Sequence, residues 1–164
     1  MKRIATTLFV CFLVLPSVAQ DGAAPRAVKW LPFQEAVDRS ESNGKMLLLD
    51  IYAPWCGWCQ KMQDEVYTDQ DVLRYLDKHF EIARLNIAAE DPVVFQGHDL
   101  TSQQLSYGLG AEGTPTTVFL SSAGEYITRL PGYMDVPGFL NVLHFLGTDA
   151  YEHSTFDEFL EGRQ

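Results

Sequence analysis

The sequence has little cysteine and little positive charge, and both shortages exclude classes of function. Three cysteines and four scattered histidines occur in 164 residues. A structural zinc site needs about four Cys or His ligands at paired spacing, which this chain lacks. We therefore predict no metal and no cofactor. Twenty-two acidic residues against twelve basic ones give a formal net charge of −10. Nucleic acid and anionic lipid are thus not expected partners.

Apolar runs long enough to approach a membrane span are also absent after the first fifteen residues. A basic pair at 2–3 precedes an apolar run over 4–15, and small residues then lead to Ala19. This layout is typical of a secretory signal peptide cleaved after Ala19. The alternative is a membrane anchor, but the run is shorter than the roughly 20 residues that a spanning helix needs. We therefore expect residues 1–19 to be removed and the mature chain to be periplasmic, without stable insertion in the membrane.

The rest of the chain divides into a polar segment over 20–29, expected to be flexible, and a single domain over 30–164. The stretch 88–101 is polar and is expected to be a solvated connection, with a loop that contacts a partner as the alternative. Apolar runs and alternation predict four strands: 45–52, 80–87, 116–120 and 125–130. Helical spacing and capping residues predict six helices. The first ends at Asn43, the second starts after Cys56 and the third starts at Thr68. The fourth passes through 105–107, the fifth runs from Pro137 to 146 and the sixth starts at Ser154. This order predicts an α/β fold with a central mixed sheet and helices on both faces.

Cys56 and Cys59 are the two cysteines that follow the leader, and two residues separate them. They come directly after the apolar strand, which places Cys56 at the N-terminus of the next helix. Unsatisfied backbone N–H groups there favour the thiolate over the thiol. Cys59 lies one turn further on the same face and is expected to be more buried. We interpret Cys56 as the attacking nucleophile and Cys59 as the thiol that resolves the mixed disulfide.

Asp50 is the one acidic residue within the apolar strand that precedes the cysteines. Burial penalises an ionised carboxylate, so we expect the pKa of Asp50 to be raised. Such an acid beside Cys59 would accept or supply the proton of that thiol during exchange. The alternative is an exposed Asp at a strand edge that has no role.

A second signal is Thr114-Pro115 at the start of a predicted strand. Proline has no backbone donor, and one reason for it at this place is a cis peptide bond that makes a tight turn. Such a turn near Cys56 would leave the backbone of Thr114 free to pair with an extended substrate. Trp55, directly before Cys56, either offers that substrate an apolar platform or packs in the core.

These segments resemble the thioredoxin superfamily over roughly 30–146. Residues 49–62 (LDIYAPWCGWCQKM) are similar to the active-site segment of that superfamily. Asp50 matches its buried aspartate and Thr114-Pro115 its cis-proline pair, while Arg84 stands where a lysine lies near that aspartate. The resemblance implies a thioredoxin-like fold. It also implies a substrate-binding surface, which we expect to consist of Trp55, Gly57, Trp58, Thr114 and Pro115.

Within the superfamily, the helix before residue 44 and the stretch 129–133 are most similar to exported thioredoxin-related proteins. Among these, the chain resembles the SoxW type and the C-terminal domain of the DsbD reductase. The resemblance implies a periplasmic thiol–disulfide oxidoreductase whose substrates are protein disulfides and thiols. It also implies a membrane-bound thiol that donates electrons to the protein, which we expect to be a monomer.

The direction of exchange depends on the dipeptide between the cysteines, and two alternatives stay open. Cytosolic thioredoxins carry Gly-Pro there, whereas this chain carries Gly57-Trp58. Trp58 adds no positive charge that would stabilise a thiolate, which favours a reducing or intermediate potential. One alternative is a disulfide oxidase or isomerase of the same fold. The other is a non-catalytic module that holds peptides along Thr114-Pro115.

Overall fold

A computed structural model describes residues 27–163, and the predicted signal peptide over 1–19 lies outside them. The helices are α1 Phe33–Asn43, α2 Gly57–Lys61, α3 Gln70–His79, α4 Ser102–Gly108, α5 Val136–Gly147 and α6 Phe156–Glu161. The strands are β1 Met46–Tyr52, β2 Phe80–Asn86, β3 Pro92–Phe95, β4 His98–Thr101, β5 Thr116–Leu120 and β6 Tyr126–Pro131. A π-helical turn over Met62–Val66 continues α2. A 3₁₀ turn over Ala150–Glu152 precedes α6.

The central sheet has four strands in the order β2-β1-β5-β6. β1 runs parallel to β2 and antiparallel to β5, which is antiparallel to β6. β1 is central because its residues are apolar on both faces, except for Asp50. The chain reaches the sheet at Leu31, which forms an isolated parallel bridge with Ala83 and whose N–H donates to the carbonyl of Ile82 at 3.0 Å. The predicted α/β fold with a mixed sheet is confirmed.

Two hydrophobic clusters lie on opposite faces of this sheet. On one face, α3, α5 and the π-helical turn pack against Leu48 and Phe119. On the other face, α1 and α4 pack against Leu49 and Val118. The helices on both faces fix the end of β1, which is where the cysteines follow.

The stretch 88–101, predicted to be a solvated connection, contains an antiparallel hairpin of β3 and β4. Gln96 and Gly97 at its tip both have positive φ angles, 50° and 78°, as a tight two-residue hairpin turn requires. The Phe95 ring lies 5.9 Å from that of Phe33, so the hairpin packs on α1. The residues of 88–101 are exposed or partly exposed, as expected of a solvated connection, but the hairpin gives the stretch a regular structure that was not predicted.

Two helices begin one residue later than predicted. Asp69, not Thr68, caps α3, and Thr155, not Ser154, caps α6. The hydroxyls of Thr68 and Ser154 instead donate to backbone carbonyls four residues earlier, at 2.6 and 3.1 Å. Because those hydroxyls are already engaged, the next capping residue accepts from the free N–H groups of each helix.

Candidate active site

Cys56 and Cys59 form a disulfide at the point where β1 leads into α2. The backbone N–H of Cys56 donates to the carbonyl of Ala53 at 3.1 Å, which closes the turn after the strand. Cys56 is the N-cap of α2, and its sulfur accepts a hydrogen bond from the backbone N–H of Cys59 at 3.1 Å. The two Cα atoms are 5.2 Å apart. The predicted placement of the pair at a helix N-terminus is confirmed.

The two cysteines differ in their access to solvent. Cys59 is buried, with 2% of its surface exposed, whereas Cys56 is partly exposed. Gly57 is exposed, and the neighbouring indoles of Trp55 and Trp58 are 75% and 58% exposed. An external sulfur can therefore reach Cys56 but not Cys59. Trp55 is not a core residue, which excludes the alternative considered for it.

Asp50 lies on the face of β1 that also carries Leu48, under the π-helical turn. Its Oδ2 accepts from Nε of Arg84 at 2.7 Å, and its Oδ1 accepts from the hydroxyl of Tyr67 at 3.4 Å. The same hydroxyl lies 3.4 Å from Oγ1 of Thr117. The sheet register explains this set, because Asp50 is the partner of Arg84 on β2 and of Thr117 on β5. No hydrogen bond within residues 27–163 joins Asp50 to Cys59.

Burial raises the pKa of Asp50 above its ordinary value of 3.8. The positive charge and hydrogen bond of Arg84, and the weaker bond from Tyr67, act in the opposite direction without cancelling the effect of burial. Burial and the charge of Asp50 raise the pKa of Tyr67, so its phenol stays neutral and donates. The expected direction for Asp50 is confirmed. Asp50 is 1% exposed, which excludes the edge-exposed alternative.

Arg84 is held between two aromatic rings while it pairs with Asp50. Its guanidinium carbon lies 4.0 Å from the ring centroid of Tyr52 and 5.3 Å from that of Trp30. The indole N–H of Trp30 in turn donates to Oε1 of Gln63 at 3.1 Å. This clamp keeps a permanent positive charge against the buried carboxylate.

The Thr114-Pro115 peptide bond is cis, as expected. Pro115 is buried and directly precedes β5, while Thr114 is partly exposed. Thr116, the first residue of β5, pairs with Ile51 near the end of β1. The loop that contains Thr114-Pro115 (the proline loop) and the loop that contains Cys56 therefore lie at the same end of the sheet. A cavity of about 260 Å³ opens beside Thr114 and Pro115. Thr114 is thus accessible from solvent beside this cavity.

The histidines lie away from the disulfide and do not form a metal site. Within residues 27–163, no three His, Cys, Asp or Glu side chains form a group that could hold a metal ion. His79 and His144 flank the ring of Tyr75, with centroids 4.3 and 4.2 Å from it, where α3 meets α5. In the same range, no helix combines the length and the apolar character that crossing a membrane requires.

Sequence reasoning missed several side chains that complete the site. Tyr67 comes to Asp50 from the far end of the π-helical turn, and Tyr52 and Trp30 clamp Arg84. Tyr133, in the loop after β6, packs against Trp58 with ring centroids 5.6 Å apart. Local periodicity shows only that such aromatics are partly buried, so it could not have identified their partners.

Comparison with known proteins gives the family context. The family model described as thioredoxin-like domain matches residues 33–147. The thiol:disulfide interchange protein DsbD of Yersinia enterocolitica is 28% identical over 133 residues, which cover 73% of this chain and 21% of DsbD. The chain thus spans only about a fifth of the length of this curated relative. The predicted similarity to DsbD is confirmed.

Solved structures agree on the fold. A thioredoxin-fold protein from Helicobacter pylori is 26% identical, with a TM-score of 0.62 over 74% of this chain and 80% of its own. The oxidised C-terminal domain of DsbD from Neisseria meningitidis is 22% identical, with a TM-score of 0.55 over 68% of this chain and 90% of its own. The second similarity concerns the fold alone. Together with the sheet order, these structures confirm the predicted thioredoxin-like architecture.

Proposed function

This chain belongs to the thioredoxin-like family, and from that premise we propose that it is a periplasmic oxidoreductase that reduces disulfides of other proteins through Cys56 and Cys59. The proposal depends mainly on one observation: the partly exposed Cys56 and the buried Cys59 form a disulfide at the start of a helix. Attack on a substrate needs an accessible thiolate, and release of the product needs a second thiol close to the first. The two cysteines meet both needs without a cofactor.

In the first step, the Cys56 thiolate of the reduced protein attacks one sulfur of the substrate disulfide. A bond forms between Sγ of Cys56 and that sulfur, and the other substrate sulfur leaves with the bonding electron pair and takes a proton from water. The backbone N–H of Cys59 donates to Sγ of Cys56 at 3.1 Å in the disulfide form. The same donor is placed to stabilise the negative charge of the attacking thiolate.

In the second step, Cys59 loses its proton and attacks Sγ of Cys56. The mixed disulfide breaks, the second substrate sulfur leaves as a thiolate, and two electrons have passed from the protein to the substrate. Asp50 is the buried carboxylate of β1, the strand that leads to the cysteines. Its raised pKa suits it to accept the proton of Cys59. Arg84 and Tyr67 hold the Asp50 carboxylate in place.

Two observations support the reducing direction. Within residues 27–163, no Lys, Arg or His side chain donates a hydrogen bond to the sulfur of either cysteine. Lys61, two residues after Cys59, is directed instead to Glu65 at 3.9 Å and to the ring of Trp58. A strong oxidant depends on a strongly stabilised thiolate, and this site offers few groups that would stabilise one.

The rest of the proposal concerns partners and location. Trp55, Gly57, Trp58, Thr114 and Pro115 form the substrate-binding surface, and a membrane-bound dithiol reduces the Cys56–Cys59 disulfide after each turnover. Residues 1–19 direct export, and 30–164 act as the monomeric working domain. N-terminal sequencing of the exported protein should therefore begin at Gln20. Full-length protein retained in the cytoplasm would contradict this assignment.

The exchange itself is tested with the reduced protein lacking residues 1–19 and a protein disulfide such as oxidised insulin. The thiol content should pass from this protein to insulin, and Cys59→Ser should accumulate a mixed disulfide through Cys56. Cys56→Ser should lose more than about a thousandfold in rate, because a hydroxyl cannot replace the thiolate. Full activity of Cys56→Ser would refute the proposal. Peptide binding without any exchange, unchanged when both cysteines become Ala, would favour the non-catalytic module.

A further inference from the structure

Trp58 has three neighbours that fix the position of its indole. The Trp58 and Tyr133 rings are tilted by 40° with centroids 5.6 Å apart. Nζ of Lys61 lies 5.2 Å from the Trp58 centroid and 4.6 Å from the Tyr133 centroid, so one cation contacts both rings. The hydroxyl of Tyr133 donates to Oε2 of Glu65 at 2.7 Å, and Lys61 pairs with the same oxygen at 3.9 Å. We call Lys61, Glu65 and Tyr133 the brace.

The other exposed tryptophan at the site has no such support. Trp55 is the more exposed of the two indoles, and within residues 27–163 it makes no ring contact and no cation–π contact. A side chain already held in one orientation loses less conformational freedom when a ligand docks on it. Trp58 remains more than half exposed although it is braced. It therefore presents a fixed apolar surface next to Cys56, whereas Trp55 presents a movable one.

The brace is also tied to the proline loop. The backbone N–H of Gly132 donates to the carbonyl of Pro115 at 2.8 Å, and Tyr133 is the next residue. Gly132 has a φ of +83°, which a residue with a Cβ rarely adopts, so the chain turns there toward α2. A chain that runs along Thr114 thus has the Trp58 and Tyr133 rings beside it.

The charges around this surface are mostly negative. Asp64 and Glu65 follow α2, Glu112 precedes the proline loop and Asp135 follows Tyr133, and all four are exposed. Lys61 is paired with Glu65. Arg129 lines the cavity beside Thr114 together with Glu112, and it donates to the hydroxyl of Tyr126 at 3.3 Å. The whole chain carries a net charge of −10. A basic ligand is therefore attracted to this edge of the sheet and an acidic one is repelled.

We propose that Trp58, held by the brace, selects substrates at this site. The preferred substrate is an extended protein segment that carries its disulfide cysteine beside a large apolar side chain and beside basic rather than acidic residues. The apolar side chain docks on the Trp58 indole while the backbone of the segment lies along Thr114. Tyr133 and Lys61 are positioning residues that act through Trp58. The inference rests on the proposed exchange function and adds a substrate class to it.

The test uses four short peptides, each with one cysteine in a mixed disulfide with a chromogenic thiol. The residues beside the cysteine are Leu or Ser and Lys or Glu in all four combinations. Stopped-flow single turnovers of the reduced protein give a saturating rate and a half-saturation concentration for each peptide. A parallel set, with Ser in place of Cys, is titrated by calorimetry into the oxidised protein. This second set measures docking without exchange.

The parent protein should use the Leu/Lys peptide about tenfold more efficiently than the Ser/Glu peptide, mainly through the half-saturation concentration. Tyr133→Ala and Lys61→Met should each raise that concentration several-fold more for a Leu peptide than for the Ser peptide of the same charge, at an unchanged saturating rate. Tyr133→Phe keeps the ring and should keep the preference. Val94→Ala is the control, since Val94 is an exposed apolar residue on the β3–β4 hairpin, and it should change nothing.

A double variant sharpens the assignment. Because Tyr133 acts through Trp58, adding Tyr133→Ala to Trp58→Ala should cause no further loss. Independent losses, or an unchanged preference in Tyr133→Ala and Lys61→Met, would overturn the proposal. Equal use of all four peptides by the parent protein would do the same. If no peptide is reduced but the Ser-containing Leu/Lys peptide still binds preferentially, the exchange function fails while the docking site stands.

Discussion

Among residues 27–163 two carboxylates are buried, Asp50 near the end of β1 and Glu81 at the start of β2, and their surroundings differ. Glu81 accepts a hydrogen bond from Asn43 at 2.7 Å and lies 3.7 Å from Arg39 and 4.0 Å from Lys45. Its side chain is 11% exposed. Asp50 is 1% exposed. Within residues 27–163 its hydrogen-bond donors are Nε of Arg84 at 2.7 Å and the hydroxyl of Tyr67 at 3.4 Å, and Arg84 is its one cation.

This difference shows that burial of a charge does not by itself indicate a functional group. Glu81 has two cations and an amide around it, so its charge ties α1 to the sheet. Burial raises the pKa of Asp50 in spite of Arg84. A carboxylate whose negative charge is incompletely compensated is the one suited to exchange a proton. It also lies at the end of the sheet that carries Cys56, while Glu81 lies at the other.

The largest effect is expected in the rate of disulfide exchange, which should depend on Asp50 and not on Glu81. Asp50→Asn should slow disulfide exchange at neutral pH about a hundredfold, because a positioned acid–base group contributes about that much or more. Glu81→Gln is the matched control and should leave the rate unchanged. Quenched single turnovers with a peptide disulfide measure both. Equal rates in the parent protein and Asp50→Asn would show that Asp50 takes no part in the exchange, so that its role would not differ from that of Glu81.

The second prediction concerns the cation beside Asp50. Arg84→Met removes the charge that lowers the pKa of Asp50, so that pKa should rise further and the pH–rate profile of exchange should move to higher pH. The unfolding free energy should fall by about 2 kcal/mol, because a mostly buried ion pair loses one partner. Arg84→Lys keeps a positive charge and should shift the profile less. Coincident profiles for the parent protein and Arg84→Met would contradict the role given to Arg84.

A smaller effect should appear in the stability of Asp50→Asn. The folded protein binds the Asp50 proton more tightly than the unfolded chain, so ionisation costs stability as the pH rises from 3.8 through the raised pKa. Asp50→Asn should therefore be more stable than the parent protein at pH 7, and the gain should vanish below pH 3.8. Urea unfolding at several pH values measures this. A variant that is less stable at pH 7 would show that Arg84 compensates the charge fully.

The smallest effect should come from Glu81. Glu81→Gln should lose about 1 kcal/mol or less of unfolding free energy, because its ion pairs involve side chains that water also reaches. A glutamine oxygen can still accept the hydrogen bond from Asn43. Urea unfolding in low and high salt measures the change, which salt should reduce. A gain in stability instead of a small loss would mean that the charge of Glu81 is as poorly compensated as that of Asp50.

Much of the fold could be predicted because its signals are local. The apolar run of β1, the alternation of β2 and Pro137 at the start of α5 each indicate an element without reference to the rest of the chain. The placement of Cys56 at a helix start follows from the same short-range argument. The β3–β4 hairpin escaped because Gln96-Gly97 is a weaker turn signal than Asn-Gly and its strands are short.

The surroundings of Asp50 could not be predicted in the same way. Arg84 reaches Asp50 across 34 residues through the parallel register of β1 and β2, which local sequence does not specify. Tyr67 depends on the π-helical turn, in which its N–H bonds to the carbonyl of Met62, five residues earlier. A π-helical turn has no clear sequence signature. The family resemblance pointed to Arg84, but only the packed structure shows that the rings of Tyr52 and Trp30 hold its guanidinium.

The reduction potential of the Cys56–Cys59 pair tests the central claim most directly. Protein lacking residues 1–19 is equilibrated with glutathione buffers of known ratio, and the thiol fraction is measured after acid quenching. We predict a potential near or below about −230 mV, in the range of proteins that reduce disulfides. A potential of about −180 mV or higher would contradict the account, since it would make the protein an oxidant or isomerase.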